Sequence, residues 1–199
     1  MFALSEQERR FFEMNYGVKA YLRPMFVDYD KIMPATYGEK ISLRRKWGFE
    51  EDDIIILTYG GNPLYRGVQY LPLVLKRCGN RKLKIVATSL PTSWIRPLRE
   101  RGILALPRIS DAEYLELLKL SDLFILLLHP AFKPLGIQMS VAEALAAELP
   151  VTSPSLIHYP NLDKVERLGG LIPYIDDLHK AHKAVSTICE AISHLHTFN

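Results

Sequence analysis

What this sequence lacks narrows its class before any motif is read. Among 199 residues there are only two cysteines. Cys78 and Cys189 lie far apart, with no CxxC and no cysteine–histidine spacing. That pattern speaks against a disulfide framework or a zinc site and reads as two buried thiols in a reducing compartment. No apolar run approaches the roughly 18 residues of a transmembrane helix; the longest, "LFILLLHP", is strand-sized. The start, "MFALSEQERRFF", carries charges where a signal peptide needs its apolar core, so a cytoplasmic location is expected. Neither sign of charge dominates: 25 Lys and Arg against 22 Asp and Glu give a net charge of +3. The strongest basic run holds only Arg44, Arg45 and Lys46, which is not the dense basic field of a nucleic-acid binder.

The composition is otherwise that of a folded protein. It is 48 % hydrophobic and 24 % charged, enough to bury a core without staples. Strand-like and helix-like segments alternate along it. Ser5 with Glu8 forms an S-x-x-E capping box that starts a helix to about Asn15. "VKAYLRP" is a short strand-like piece, and "MFVDYDKIMPATYGEK" reads as a linker. From there the order is a helix over Ile41 to Trp47, the strand "DDIIILTYGG", a helix near Val68 to Arg77, the strand "LKIVATS" and a helix near Thr92 to Arg101. "ILALP" follows as a strand, and Ser110 with Glu113 opens a second capping box. The strand "DLFILLL", a helix, the strand "PVTSP", a weak helix around Asp163 to Arg167, the strand "GGLIPY" and a long helix over Asp176 to His194 complete the chain. Strands that are apolar on both faces and alternate with helices mean βαβ units and one parallel sheet. The expected fold is α/β: a Rossmann-like, doubly wound parallel sheet of about six strands from about residue 36 onward.

In such sheets ligands bind beyond the carboxyl ends of the strands. The loops Gly60 to Gly67, Ser89 to Thr92, Pro107 to Ser110 and His129 to Ile137 lie on that edge. "YGGNPLYRG" is neither a GxGxxG fingerprint nor a P-loop with GK[ST]. Its glycine pair, Gly60 and Gly61, lets a ligand approach the backbone, and Arg66 can give a phosphate two parallel bonds; a tight turn with a solvent arginine is the plainer alternative. "PLGIQMSVAEALAAELPVTSP" reads as loop, helix and strand, with N–H groups of Gly136, Ile137, Gln138 and Met139 at the helix start. Glu143 sits alone on an otherwise small and apolar helix. It is either a surface glutamate on a core helix or a carboxylate for sugar hydroxyls beside an anion site. His129 ends a strand on the same edge, as a ligand contact or a satisfied histidine. His179 and His182 are three apart on the last helix without a third ligand, so no metal is expected. No GxSxG elbow or other nucleophile signature occurs.

Taken in order, "ILTYGG…YRG", "LKIVATS", "RISDAEYLELLKLSDLFILLL", "GIQMSVAEALAAELPVTSP" and "GGLIPY" resemble the C-terminal, nucleotide-sugar-binding domain of GT-B glycosyltransferases, family four in particular. The resemblance covers about residues 50 to 195, and "SVAEALA…PV" is its most specific part. Residues 1–35 look like that family's interdomain passage, so the N-terminal acceptor-binding domain is expected to be missing, and residues 36–199 to form the donor domain. The resemblance implies a donor nucleotide-sugar-binding domain of a retaining hexosyltransferase. Its donor would be a UDP- or GDP-sugar, with no cofactor and no Mg²⁺, since GT-B enzymes set dipoles and cations against the leaving diphosphate. Glu143 would hold the ribose, and the N–H groups near Gly136 to Gln138 would face the diphosphate. Arg66 stands in for the family's lysine beside the diphosphate, and Pro107, Arg108 and Ile109 would lie near the base. The isolated chain is expected to be inactive. Membrane-surface association would come through the missing domain.

The sequence also departs from the family. Gly61 occupies the place of an arginine, and Leu135 or Lys133, depending on the alignment, that of the first glutamate of a pair. Glu148 replaces the glycine of "A-x-G-x-P". These departures motivate an alternative, a degenerate, non-catalytic module that acts by binding a partner. An unrelated dinucleotide-dependent oxidoreductase is disfavoured, because no dinucleotide fingerprint follows the first strand.

Overall fold

The computed structural model describes residues 1–3, 5–23, 27–79, 82–135, 138–158 and 168–195. At the N-terminus, β1 (Phe2–Ala3) pairs in parallel with β2 (Tyr21–Leu22), and α1 (Glu6–Tyr16) lies between them. Ser5 caps α1 by accepting from the Glu8 N–H. The stretch read as a linker holds one helical turn, α2 (Tyr29–Ile32), and the start of α3 (Tyr37–Lys46). Thr36 caps α3, and three basic residues in its last turn suit the negative end of its dipole. The main layer follows as β3 (Ile54–Tyr59), α4 (Leu71–Cys78), β4 (Leu83–Thr88), α5 (Thr92–Arg99), β5 (Leu104–Ala105), α6 (Asp111–Leu120), β6 (Leu123–Ile125), α7 (Met139–Ala146), β7 (Val151–Thr152), β8 (Leu168–Gly170) and α8 (Leu178–Leu195). Both halves of the capping box at Ser110 and Glu113 are formed. The weak helix expected around Asp163 to Arg167 lies outside the described residues.

Six strands form one sheet in the order β5-β4-β3-β6-β7-β8, all pairs parallel. This is the doubly wound order, and its switch point lies between β3 and β6. Successive residues of β3 go to opposite faces. Ile54 and Ile56 pack with α4, α5 and α8, whereas Ile55 and Leu57 pack with α6 and α7. Burial on both faces explains why the strands read as unbroken apolar runs.

One polar cluster clamps the switch-point strands at their amino ends. Asp122, just before β6, makes two bonds of 2.8 Å with the Ile55 backbone: its N–H donates to the Ile55 carbonyl and its carboxylate accepts from the Ile55 N–H. The buried Arg44 of α3 gives that carboxylate two bonds, of 2.7 and 2.6 Å, and also donates to the carbonyls of Leu120 and Glu51. Lys40 adds a third cationic bond, of 2.7 Å.

The cysteines require a correction. Cys78 and Cys189 are not free thiols: they form a disulfide, with Cα atoms 5.2 Å apart across 111 residues. The end of α4 packs on the middle of α8 and brings them together, which no local spacing can reveal. The inference of a reducing compartment loses its basis.

The Asp122 cluster generates a stability prediction. Asp122→Ala leaves the Arg44 guanidinium buried without its carboxylate and should cost about 3 kcal/mol or more in urea unfolding. A loss under about 0.5 kcal/mol would show that the clamp is dispensable.

Candidate functional site

At the carboxyl edge of the sheet, beside the switch point, a cavity of about 560 Å³ opens between the ends of β3 and β4 and the starts of α6 and α7. Tyr59, Gly61, Arg66, Ser89, Arg108, Ile109, Asp111, Tyr114, Met139, Ser140 and Glu143 line it. Six residues singled out in the sequence thus line it together: Gly61, Arg66, Arg108, Ile109, Met139 and Glu143. Gln138 joins them indirectly, its side-chain carbonyl accepting from Arg66 at 3.2 Å. Gly60 does not line the cavity. Its N–H donates to the Thr88 carbonyl, and a Cβ there would strike Leu90, so its lack of a side chain serves packing of the loop. Gly136 and Ile137 lie outside the described residues.

Arg66 is held unusually for an arginine. Gly67 behind it turns the chain at φ +64 and presses on Leu127, where any side chain would collide. The guanidinium lies 5.1 Å from the ring centre of Tyr59 and 5.2 Å from that of Phe132. Its Nε and Nη1 are buried and have no hydrogen-bond partner among the described residues. Burial pulls its pKa below the ordinary arginine range, with Tyr59 and Tyr114 opposing that shift. A desolvated cation with open donors is the electrostatic condition for an anion site.

Across the cavity, α7 begins at Met139, with Gln138 as its N-cap, rather than at Gly136. Gln138 gives no side-chain cap, because its side chain is turned to Arg66. The first-turn N–H groups of Met139 and Ser140 therefore keep the positive end of the helix uncompensated by a cap. The Ser140 Oγ is also buried without a partner among the described residues. Glu143 stands one turn further along and is half-buried. Burial raises its pKa from the ordinary 4.5, Asp111 adds to the rise, and Tyr114 opposes it.

Several residues of this wall were not singled out in the sequence. Tyr59 and Tyr114 look like core aromatics, and their rings do pack with the core. Ser89 follows β4 with φ +58, a backbone strain that only coordinates reveal and that clusters at functional sites. Its loop, though not the residue, was legible from the strand-end rule. His129 is satisfied locally: its Nδ1 accepts from the Ala131 N–H and its ring meets Tyr65 edge-on. His182 pairs with Arg77, and no metal-binding group of three or more ligands occurs among the described residues.

Neither a family model nor a curated protein matches the sequence. HepE from Anabaena, solved in complex with UDP and glucose, aligns over 100% of this chain and 60% of its own, with a TM-score of 0.65 and 14% identity. WaaG, a glycosyltransferase involved in lipopolysaccharide biosynthesis, aligns over 99% of this chain and 57% of its own, with a TM-score of 0.69 and 14% identity. The C-terminal domain of LpcC, a group 1 glycosyl transferase from Francisella tularensis, aligns over 84% of this chain and 97% of that domain, with a TM-score of 0.54 and 14% identity. The chain therefore has the Rossmann-like fold of the C-terminal half of GT-B glycosyltransferases, and it spans about 60% of the length of HepE. At such identity the likeness concerns the fold.

The raised pKa of Glu143 has a thermodynamic sign. The native state keeps this proton at pH values where the unfolded chain, near 4.5, has lost it. Stability is therefore lost as pH rises through that window. Glu143→Gln removes the loss, so its thermal midpoint relative to wild type should rise between pH 4 and pH 7. A variant that becomes relatively less stable toward pH 7 would mean that the ionised carboxylate supports the empty fold.

Proposed function

We propose that this cavity binds the nucleoside diphosphate of a sugar donor and that the chain is the donor-binding half of a glycosyltransferase. The observation that carries this reading is Arg66: a buried guanidinium with two open donors, in one cavity with the first turn of α7 and with Glu143. In this reading the diphosphate lies between Arg66, the N–H groups of Met139 and Ser140, and the Ser140 hydroxyl. Glu143 accepts from two vicinal ribose hydroxyls, a geometry that suits a carboxylate. Arg108 and Ile109 lie on the side where the base would rest. Arg108 also gives the cavity a second cation, where Gly61 supplies none.

The mechanism proposed is electrostatic. Sugar transfer leaves negative charge on the departing diphosphate, and donors fixed before the reaction stabilise that charge without reorganisation. Retention of configuration and a hexosyl donor, UDP- or GDP-linked, are carried over from the family resemblance. So are an acceptor-binding domain beyond this segment, with residues 1–35 as the passage to it, and inactivity of the chain alone.

A second reading, partner binding without catalysis, draws on a different observation. Phe2, Met14, Tyr16, Tyr21 and Leu22 are all at least half exposed on the N-terminal unit, a concentration of apolar surface that invites contact with another unit.

The two readings separate on Arg66→Met. Each charged hydrogen bond is worth about 1.5–3 kcal/mol, so calorimetric affinity for the preferred one of UDP, GDP and ADP should fall at least tenfold, about 1.4 kcal/mol. The thermal midpoint should not fall, because the empty protein loses a desolvated cation. Unchanged affinity, or no nucleotide bound by the wild type at millimolar concentration, would refute donor binding and favour the partner module.

A further inference from the structure

One polar group in the cavity is left without a task by this reading. Tyr114 lies in the first turn of α6, four residues after the N-cap Ser110, and lines the cavity together with Glu143 of α7. Its ring packs in the core cluster that also holds Leu117, Leu118, Val141 and Ala144, which fixes where the hydroxyl can point. That hydroxyl is buried, and no partner among the described residues completes a well-formed hydrogen bond to it. A buried phenol that stays unpaired costs as much as any stranded donor. Glu143 next to it is a half-buried carboxylate with no ion pair recorded among the described residues. The charged or titratable groups facing Glu143 are Tyr114 and Asp111 on α6, Tyr59 at the end of β3, and Arg66 and Arg108 in the loops.

We propose that Tyr114 is a positioning residue for ribose recognition: its hydroxyl donates to the Glu143 carboxylate, holding it ionised and turned so that its remaining lone pairs meet the vicinal ribose hydroxyls. The proposal rests on the reading of the cavity as a nucleotide site. Burial drives the Tyr114 phenol well above its ordinary range, so it remains a donor throughout the physiological range. A carboxylate supplied with one protein donor accepts from two sugar hydroxyls in charge-assisted bonds, whereas a protonated carboxyl keeps one good acceptor and meets the second hydroxyl only through its own O–H, in weaker neutral bonds. Sites built to hydrogen-bond a hydroxyl discriminate strongly against ligands that lack it. The consequence is a preference for ribonucleotides over 2′-deoxyribonucleotides that fades as pH falls through the titration of Glu143.

The test is calorimetric titration of the preferred one of UDP, GDP and ADP, taken below as UDP, and of its 2′-deoxy counterpart across pH 4.5 to 8, with wild type and Tyr114→Phe. The phenylalanine keeps the ring in the core and removes only the hydroxyl, so a variant that does not fold would mark that hydroxyl as structural and overturn the proposal. The wild type should prefer UDP. The variant should lose roughly three- to tenfold of that preference, the size of one hydrogen bond, and should lose UDP affinity at a higher pH than wild type. Affinity for inorganic pyrophosphate should be unchanged by the substitution. Equal preference and an equal pH midpoint in both proteins would show that Tyr114 only packs. A wild type that binds UDP and 2′-deoxy-UDP equally would remove Glu143 from the ribose and overturn this inference while the diphosphate reading stands. A wild type that binds pyrophosphate but none of UDP, GDP and ADP, or that binds none of these ligands, would overturn both.

Discussion

The pairing of β3 with β6 is the constraint on which the remaining architecture hangs. At this switch point the chain, having built the sheet outward through β4 and β5, returns to its centre and builds the other way. Only two residue pairs, Ile56 with Leu123 and Leu57 with Phe124, hold the two strands side by side. The Asp122 cluster compensates at their amino ends, where one carboxylate takes a backbone N–H from β3, two bonds from Arg44 and one from Lys40. With the amino ends fixed, the carboxyl ends are free to part, and the loops that leave them enclose the cavity. The clamp and the cavity thus lie at opposite ends of the same two strands.

The cavity itself is assembled from groups that the empty fold does not favour. Arg66 is desolvated with two donors open, Ser140 has a buried hydroxyl without a partner among the described residues, and Glu143 is pushed toward its protonated form. Ser89 holds a left-handed backbone that costs a non-glycine residue about 1–2 kcal/mol. Native interiors satisfy nearly all of their buried polar groups, and the proposed donor would complete hydrogen bonds that the described residues leave open here. The same reasoning does not extend to Glu148. It stands with φ +57 in the turn after α7 where the family resemblance has a glycine. The turn geometry survives there at the expense of local strain.

Most of the fold was legible in the sequence because its signals are local. The S-x-x-E boxes at Ser5 and Ser110 gave helix starts, and the unbroken apolar runs gave buried parallel strands. The strand-end rule placed the loops of Gly61, Arg66 and Arg108 on one edge, and the family resemblance added Glu143; all four line one cavity, although they span more than eighty residues of chain. What escaped was information held between elements. Tyr114 occupies an apolar position of α6, and its ring belongs there; only the tip of the side chain reaches the cavity. The disulfide joins residues 111 apart through packing of α4 on α8. Gly60 was legible as special, but its reason, contact with Leu90 and Thr88, is tertiary.

The central claim is that this one cavity, and no other surface, takes a nucleoside diphosphate. Titration of the ¹⁵N-labelled chain with UDP, GDP and ADP, followed by amide chemical shifts, tests it directly. The account predicts that one of the three produces saturable shifts concentrated at Gly61, Ser89, Arg108, Ser140 and Glu143. Shifts centred instead on the hollow lined by Tyr37, Ser42 and Arg45, or none with any of the three at millimolar concentration, would contradict it.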